Sequence, residues 1–384
     1  MSLSVCLLTR DQESDIPRAL RSVAGLAEET IVADAASTDR TAQVAAGLGA
    51  KVYPFAWDDD FAAGRNFAIG QATGDWVLWL NADEELLPDS HAHARACMAR
   101  PGVFGYFVLL RTPLEADRPD VFSETSDLRL FRRRPGLRFV GRAYPHLDPD
   151  TVAAVRCAGE QVLPSAVTLR VAARPAERPE AKLRWTARLL ELELRDRPGQ
   201  LPYVIEYGRT LLLLGDAKGH AVLAEAAEQV LAVRDAPAAP TGKVQVLLEY
   251  LLTAAPGLSR SRLTRDEARA LALRWFPASP PLLYRTAEHC FRRGDFRQAA
   301  DLLERLVRLG ETGGYDRSRR FDPGLVGDDA LVNLAACYRQ LGELARAEHC
   351  YRRLLGSRHF QAQAAEGLAA VQALMRTVAR GDGE

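Results

Sequence analysis

The chain lacks several features that would by themselves suggest a partner or a scaffold. Its 384 residues include 50 basic and 50 acidic side chains, so the formal net charge is zero. This balance gives no reason to expect attraction to nucleic acid or to an anionic membrane surface. No apolar run approaches the length of a membrane span. The six cysteines are widely spaced, which argues against a zinc site and against a disulfide scaffold.

Targeting signals and phosphate-binding glycine motifs are also missing. The segment from Met1 to Leu8 has no basic region and is too short for the apolar part of a secretory signal. Together with the scattered cysteines, this favours a reducing cytoplasm as the location. Neither Gly-x-Gly-x-x-Gly nor a P-loop follows any predicted strand. A nucleotide would therefore have to be held in another way.

Apolar strands alternate with amphipathic helices over the first eighty or so residues. Strands are predicted at Leu3 to Leu8, Thr30 to Ala33, Lys51 to Phe55 and Trp76 to Leu80, and helices at Ser14 to Val23, Ser37 to Leu48 and Asp60 to Ala72. This alternation predicts a Rossmann-like, mostly parallel sheet with helices on both faces. We expect an α/β domain over residues 1–172, a linker over 173–181 and an all-α helical repeat domain over 182–384.

Polar residues follow three of the predicted strands. They are Thr9, Arg10, Asp11 and Glu13 after the first strand, Asp34, Ser37, Thr38 and Asp39 after the second, and Asn81, Asp83 and Glu84 after the last. Loops at the carboxyl ends of parallel strands meet in one crevice, where such folds bind their ligands. Acidic oxygens suit a hard divalent cation, which commonly recruits the phosphates of a nucleotide. The plainer interpretation of each acidic segment is a solvated turn.

Four stretches of the sequence together resemble the family 2 glycosyltransferases of GT-A fold, in the subgroup joined to tetratricopeptide (TPR) repeats. The stretches are Leu8 to Glu13, Ile31 to Thr41, Asp60 to Asn66 and Gly74 to Glu84, in the family's order and at similar spacing. A weaker likeness continues at Leu128 to Arg132 and at Lys182 to Trp185.

The resemblance implies a hexosyltransferase that takes a sugar from a nucleotide-diphosphate donor, with inversion and with help from Mg²⁺ or Mn²⁺. In the family, the acid matching Asp34 contacts the base or the ribose, and Asp83 is the second acid of the metal-binding DxD motif. The donor-binding residues implied in this way are Thr9, Arg10, Asp11, Glu13, Asp34, Ser37, Asp39, Arg65, Asn66, Asn81 and Ala82.

The sequence departs from the family pattern where the chemistry is expected. Asn81 replaces the first acid of DxD, which should weaken metal binding. In the family, a His-Glu pair usually follows a Phe-x-Gly element. This chain has His146 followed by Leu147 in that region. Asp148 or Glu84 could then serve as the catalytic base. His146 is either a metal or diphosphate ligand or a surface residue. These departures leave open a second hypothesis, a degenerate transferase that acts as a scaffold through its repeats.

The second half of the chain is rich in Leu, Ala and Arg and carries no strand signal. Gly215, Gly294 and Gly342 fit the turns of helical hairpins, with small residues in register around them. Such a repeat domain could hold an acceptor, whether peptide, glycan or small natural product, or form a homodimer. Its other possible role is to cap the first domain.

Two further groups of residues allow alternative interpretations. The cluster Arg132, Arg133, Arg134, Arg138 and Arg142 is either a phosphate clamp or a solvated loop. The pairs His289-Cys290 and His349-Cys350 fit helix-surface and core positions better than metal ligation.

Overall fold

The computed structural model describes residues 1–115, 118–172, 179–253 and 261–381. It divides the chain into two compact units, Met1–Gln200 and Leu201–Glu384. The first unit is α/β and the second is helical, which confirms the predicted fold class. Most of the expected linker, residues 173–178, lies outside the described part of the chain. A helix that begins at Pro179 belongs to the first unit, although we expected residues from 182 onward to belong to the repeats.

The first unit contains a large sheet and a short two-stranded ribbon. The strands are β1 (Leu3–Thr9), β2 (Glu29–Asp34), β3 (Lys51–Pro54), β4 (Trp76–Trp79), β5 (Glu84–Leu86), β6 (Val103–Glu115), β7 (Arg118–Arg132), β8 (Phe139–Val140), β9 (His146–Leu147) and β10 (Gln161–Val171). The large sheet has the strand order β3-β2-β1-β4-β7-β6-β10-β5, and the ribbon pairs β8 with β9.

The sheet is parallel on one side and mixed on the other. β3, β2, β1 and β4 run parallel to one another. β7 is antiparallel to both β4 and β6, whereas β10 runs parallel to β6 and antiparallel to β5. The four parallel strands therefore present their carboxyl ends at one edge of the sheet, which is where the predicted site lies.

Helices cover both faces of this sheet. They are α1 (Ile16–Ser22), α2 (Thr41–Gly47), α3 (Phe61–Gly70), α4 (Ser90–Ala99) and α5 (Pro149–Cys157), and the first unit also contains α6 (Pro179–Asp196). Alternate residues of β1 enter two separate cores: Leu7 packs with α1, α2 and α4, while Cys6 packs with α3 and α5. Two apolar faces on one strand are what a sheet between helical layers requires.

The second unit consists of helical hairpins in its described residues. The helices are α7 (Leu201–Leu213), α8 (Lys218–Ala232), α9 (Val244–Leu252), α10 (Arg265–Trp275), α11 (Pro280–Arg292), α12 (Phe296–Thr312), α13 (Asp328–Gln340), α14 (Leu344–Leu354) and α15 (Gln361–Gly381), with a 3₁₀ turn at Pro323–Val326. Gly215, Gly294 and Gly342 have φ angles of 77°, 81° and 73° in the turns between paired helices. The predicted turn glycines therefore sit in the left-handed conformation that glycine adopts most easily.

Small residues let the hairpin helices of this unit approach closely. A Cβ atom on Gly208 would lie 2.8 Å from the side chain of Leu223. Ala287 and Ala335, which occupy matching positions in later hairpins, are buried. Cys290 and Cys350 belong to the same apolar core, and no group of three or more potential metal ligands occurs among the residues that the structure describes. The core interpretation of the His-Cys pairs is the one that these contacts support.

Candidate active site

The predicted site residues follow neighbouring parallel strands. Thr9 at the end of β1 pairs with Asp34 at the end of β2, and Cys6 of β1 pairs with Trp79 at the end of β4. The loops after β1, β2 and β4 therefore leave the same edge of the sheet. β2 and β4 are separated only by β1, so the two strands lie roughly 10 Å apart. The sequence-based grouping of Asp34 with the Asn81–Asp83 turn agrees with this topology.

The loops after β1 and β2 are bound to each other by their acidic side chains. Asp11 Oδ1 accepts hydrogen bonds from the backbone N–H of Thr38 at 2.7 Å and from its hydroxyl at 3.0 Å. The N–H of Arg40 donates to Glu13 at 2.8 Å, and the N–H of Glu13 donates to Asp39 at 3.1 Å. The backbone hydrogen bond from Thr38 holds the pKa of Asp11 below its usual range. These three carboxylates thus join the loops after β1 and β2.

The same contacts explain why α2 begins later than predicted. We expected a helix from Ser37, but α2 begins at Thr41. Asp39 accepts hydrogen bonds from both the N–H and the hydroxyl of Thr41, so the preceding residues form a loop. Asp and Ser side chains compete with helical hydrogen bonds in this way.

Asp34 is fixed at the end of β2. It is buried, its Oδ1 accepts the Ser37 hydroxyl at 2.5 Å, and its Oδ2 accepts the Ser37 N–H at 3.1 Å. Next to it on β1, the buried Thr9 hydroxyl has no hydrogen-bond partner among the described residues. Arg10 is exposed and lies 4.0 Å from Asp11. A buried, unpartnered hydroxyl beside an oriented carboxylate is suited to a polar ligand.

The turn after β4 is held by Asn81. The Trp79 indole N–H donates to Asn81 Oδ1 at 3.2 Å, and the Asn81 amide donates to Glu84 at 2.8 Å. Ala82 is buried in the core. The side-chain oxygen of Asn81, which replaces the first acid of DxD, is therefore engaged by Trp79, and Asn81 stabilises the turn.

Glu84 is engaged on both of its oxygens. It is 3% exposed and accepts from Asn81 and from the Arg129 guanidinium at 3.2 and 3.3 Å. Burial raises the pKa of Glu84, and the charge of Arg129 opposes that increase. A carboxylate enclosed in this way is poorly placed to remove a proton from an acceptor. The contacts of Glu84 therefore indicate a structural role, whereas the sequence analysis offered it as a catalytic base.

Asp83 differs from its neighbours because its carboxylate is free. Its backbone carbonyl accepts the Ala172 N–H at 2.7 Å and the Arg18 guanidinium at 3.4 Å. No hydrogen bond or ion pair from any described residue reaches its side chain, which is partly exposed. A single protein carboxylate suits Mg²⁺ or Mn²⁺ when phosphate oxygens and waters complete the coordination. Asp83 is thus the residue of this turn that fits a cation.

Arg65 and Asn66 lie in α3, under the turn. The Arg65 guanidinium is 4.5 Å from the Trp79 ring centroid and 4.6 Å from that of Phe139. Burial, with the nearby charge of Arg129, lowers the pKa of Arg65 to about 9. Asn66 exchanges two hydrogen bonds of 2.8 Å with the backbone of Phe139. Asn66 therefore anchors β8 through one amide N–H and its carbonyl oxygen.

Asp148, the other predicted base, and His146 lie outside the loops that follow the parallel strands. Asp148 caps α5: its two oxygens accept the N–H and the hydroxyl of Thr151 at 2.9 and 3.1 Å. Burial alone would raise the pKa of Asp148, but the hydrogen bonds from Thr151 and the charge of Arg138 lower it. His146 is exposed on β9, and burial of part of its ring lowers its pKa. Neither residue follows one of the parallel strands.

Four of the five arginines of the cluster make hydrogen bonds within the first unit. Arg132 pairs with Trp76 at the start of β4, the end opposite to the site. Arg133 donates to the Gly74 carbonyl at 2.8 Å, and Arg134 donates to Glu160 at 2.5 Å. Arg142 binds Asp196 of α6 at 2.8 Å. These arginines tie segments of the first unit together, which neither the clamp nor the solvated-loop interpretation foresaw.

Two residues at the site were missed in the sequence. Arg129 is buried, and its guanidinium joins Glu84 to Asp127, whose Oδ2 accepts the Arg129 Nε–H at 2.8 Å. The Asp127 side chain is 49% exposed. The available signal was an arginine within the apolar run Leu128 to Phe131, because a charge in a buried strand needs a partner.

Comparisons with known proteins agree with the assignment of the amino-terminal region. Residues 4–103 match the model of the glycosyl transferase family 2, so this part of the chain is a family 2 domain, as the sequence motifs predicted. A TPR repeat-containing protein of Synechococcus elongatus is 40% identical over 154 residues, which cover 40% of this chain and 37% of the relative. An uncharacterized glycosyltransferase of Rickettsia typhi is 40% identical over 84 residues, 22% of this chain and 28% of the relative. The chain thus spans less than half the length of these relatives.

Among solved structures, similarity extends to TarS 1-349 of S. aureus in complex with UDP-GlcNAc. The identity is 16% and the TM-score 0.39, with 82% of this chain and 93% of that chain covered. The mannosyltransferase PcManGT of Pyrobaculum calidifontis, in complex with GDP-Man and Mn²⁺, has 18% identity and a TM-score of 0.37, with 71% and 86% covered. Within the described residues, no helix combines the length and the apolar character needed to cross a bilayer.

Proposed function

We propose that the first unit transfers a sugar, with inversion, from a nucleoside diphosphate donor to an acceptor hydroxyl, assisted by Mg²⁺ or Mn²⁺. The observation that carries this proposal is the arrangement of Asp34 and Asp83. They follow parallel strands on either side of β1, and the Asp83 carboxylate is free of described partners. The family 2 match over residues 4–103 supports the same class of reaction.

The loops after β1 and β2 would hold the nucleoside. Ser37 keeps the Asp34 carboxylate in one orientation, and each oxygen retains a lone pair for a base N–H or a ribose hydroxyl. Thr9 offers the unpartnered hydroxyl, and Arg10 is exposed nearby. The backbone of these two loops is fixed by the contacts of Asp11, Glu13 and Asp39. Such preorganisation lowers the cost of ordering the site when the donor binds.

Asp83 would hold the cation against the diphosphate. A bound divalent ion stabilises the negative charge that the leaving diphosphate gains as the glycosidic bond breaks. Asn81, Glu84 and Arg129 keep the turn in place, so that Asp83 is presented at the end of β4. Arg65, packed between two aromatic rings, adds a buried positive charge below the turn.

We propose that the second unit serves the acceptor, which is a peptide, a glycan or a small molecule, or joins two copies of the chain. Its described helices line a groove of about 390 Å³ that includes Glu304, Arg308, Tyr338, Arg346 and Arg353. Mixed charges around an aromatic ring are suited to a polar partner.

The alternative function is a scaffold without turnover. It is favoured by Asn81, whose oxygen is engaged by Trp79, and by Asp148, which caps a helix. The two functions differ in whether nucleotide binds. Calorimetry with uridine and guanosine diphosphates, with and without Mn²⁺, separates them, because a silent titration in every case would favour the scaffold.

The catalytic role of Asp83 is tested by comparing Asp83→Ala with Asp89→Ala. Asp89 is also an exposed acid close in sequence, and its side chain makes no capping hydrogen bond. With a panel of UDP- and GDP-sugars, we expect Asp83→Ala to reduce nucleoside diphosphate release by at least about 100-fold, because it removes the protein's ligand to the cation. Asp89→Ala should retain the rate. Equal rates in the two variants would remove Asp83 from the mechanism.

A further inference from the structure

The proposed transfer requires a group that removes the proton of the acceptor hydroxyl, and the candidates taken from the sequence are engaged elsewhere. Both oxygens of Glu84 accept hydrogen bonds in a buried ion pair, and both oxygens of Asp148 cap α5. His146 lies on β9, with the charges of Glu193 and Arg197 nearby. A carboxylate at the edge of the sheet that carries Asp83 would be better placed.

Asp127 lies towards this edge. β7 runs antiparallel to β4, with Trp76 beside Arg132 and Leu78 beside Leu130. Because the two strands are antiparallel, residues that precede Leu130 on β7 lie beside residues that follow Leu78 on β4. Asp127 on β7 therefore lies towards the end of β4 at which the turn of Asn81 and Asp83 begins. Asp127 and the turn are therefore at the same end of two adjacent strands.

One guanidinium connects Asp127 to this turn. Arg129 Nε donates to Asp127 Oδ2 at 2.8 Å, while its two terminal nitrogens lie 3.2 and 3.3 Å from the oxygens of Glu84, the residue after Asp83. The Arg129 side chain is 7% exposed, whereas that of Asp127 is 49% exposed. No hydrogen bond from a described residue reaches Asp127 Oδ1. One oxygen is thus held in place and the other is open to a ligand.

An irregularity in the sheet occurs at this position. Tyr106 of β6 pairs with Leu130, but the next residue, Phe107, pairs with Leu128, so Arg129 is an extra residue in β7. Bulges of this kind redirect side chains and are frequent beside active sites. Here the extra residue is the arginine that holds Asp127.

We propose that Asp127 is the catalytic base of the transfer, an inference that rests on the proposed function. Its open oxygen takes the proton of the acceptor hydroxyl while the acceptor oxygen bonds to the anomeric carbon. The bond from that carbon to the diphosphate oxygen breaks, and its electron pair leaves with the nucleoside diphosphate. Arg129 is a positioning residue, which holds Asp127 and Glu84 with one planar group.

The test compares Asp127→Asn with Glu124→Gln. Glu124 lies on the same strand and pairs with Arg111 of β6 at 2.9 Å. Glu124→Gln therefore controls for the loss of an ion pair on β7 that is not part of the proposed mechanism. With UDP- and GDP-sugar donors, we expect Asp127→Asn to lower kcat for nucleoside diphosphate release by about 10²- to 10⁴-fold, with little change in the KM of the donor. Glu124→Gln should keep the kcat of the unaltered protein.

A second measurement separates a base from a structural partner. Asparagine keeps an oxygen that can accept from Arg129, so a purely structural role would survive Asp127→Asn. In Asp127→Ala, added formate should restore part of kcat, because it can take the proton in place of the missing carboxylate. We expect both variants to keep their affinity for nucleoside diphosphate, measured by calorimetry. Retained binding shows that the variants are folded.

The inference and the proposed function fail in different ways. If the unaltered protein cleaves donor and Asp127→Asn keeps kcat within about fivefold of it, Asp127 is not the base, while the transferase function stands. The same conclusion follows if Glu124→Gln loses as much activity as Asp127→Asn, or if formate has no effect on Asp127→Ala. If the unaltered protein neither binds nor cleaves any donor, the proposed function fails and the role of Asp127 fails with it.

Discussion

The acidic residues considered as cation ligand or base differ chiefly in how many of their oxygens already accept hydrogen bonds. Asp148 and Glu84 have both oxygens engaged, Asp127 has one open oxygen, and Asp83 has no described side-chain partner. An engaged carboxylate stabilises the fold, while an open one can bind a cation or take a proton. The residue types alone do not distinguish these states. The sequence analysis therefore offered Glu84 and Asp148 as candidate bases, because residue types could not show that their oxygens are engaged.

Asp148 provides a direct check of this distinction. If it is a helix cap, Asp148→Asn should leave both stability and turnover nearly unchanged, because asparagine caps helices about as well as aspartate. Asp148→Ala should lower the free energy of unfolding by about 1 kcal/mol, since the Thr151 N–H loses its partner. Urea denaturation and donor cleavage measure the two effects. A loss of turnover of 100-fold or more in Asp148→Asn, with the fold intact, would restore it as the base.

Glu29 at the start of β2 is expected to contribute to the acid sensitivity of the first unit. Burial would raise its pKa, but hydrogen bonds from Lys51, Ser4 and Thr73 lower it from 4.5 to about 2. Since the pKa is lower in the folded state, the stabilisation is present above about pH 4.5 and is lost as the pH falls towards 2. The shift corresponds to at most about 3 kcal/mol.

The measurement for Glu29 is the free energy of unfolding of Glu29→Gln between pH 5 and pH 2. We expect the variant to be less stable at pH 5 and to lose less stability on acidification than the unaltered protein. Asp89→Asn serves as the control, because the Asp89 side chain makes no capping hydrogen bond. Parallel acid curves for Glu29→Gln and the unaltered protein would contradict the prediction.

Among the secondary-structure elements, the parallel strands and their helices were predictable and the antiparallel strands were not. β1 to β4 are short apolar runs bounded by helices and turn residues, which is a local pattern. β6 and β7 carry charged residues such as Arg111 and Glu124, which interrupt the apolar pattern and pair with each other across the strands. Such pairing becomes visible only when the strands are aligned, so the local pattern could predict neither the long hairpin nor the place of Asp127 within it.

Gly74 has a structural role that helix signals in the sequence do not reveal. A glycine shortly after a helical stretch is, from the sequence alone, a signal for the end of that helix. In the structure a Cβ atom on Gly74 would lie 2.8 Å from both the backbone nitrogen and the hydroxyl of Ser4 on β1. The Ser4 hydroxyl also accepts the Gly74 N–H at 2.9 Å and donates to Glu29. Glycine is therefore required here by the close approach of two backbone segments.

We expect Gly74→Ala to lower the free energy of unfolding by about 1–3 kcal/mol, because β1 must shift to admit the methyl group. Gly47→Ala is the matched control: Gly47 ends α2, has open space around its Cα, and should become slightly more stable as alanine, by about 0.5–1 kcal/mol. Chemical denaturation of both variants measures the difference. Equal stabilities would show that β1 accommodates the added methyl group without cost.

For the whole molecule, the position of α6 matters most to the division into units. The sequence analysis joined residues from 182 onward to the repeats, because α6 is amphipathic like the helices that follow it. Its contacts within the first unit are specific, however. Buried Glu193 accepts the Arg142 N–H at 2.8 Å, Asp196 binds the Arg142 guanidinium, and Trp185 packs against Phe61 with ring centroids 5.3 Å apart. Helical periodicity cannot show which neighbour a helix packs against.

These contacts predict that a fragment of residues 1–200 is better folded than a fragment of residues 1–172. The shorter fragment lacks α6, which leaves Arg142 without Glu193 and Asp196 and leaves Phe61 without Trp185. Loss of these hydrogen bonds and of the aromatic contact should lower the free energy of unfolding by about 2–4 kcal/mol. Thermal unfolding followed by circular dichroism should therefore give a cooperative transition for 1–200 and a weaker or lower one for 1–172. Fragments with the same melting temperature would show that the first unit folds without α6 and would place its boundary near residue 172.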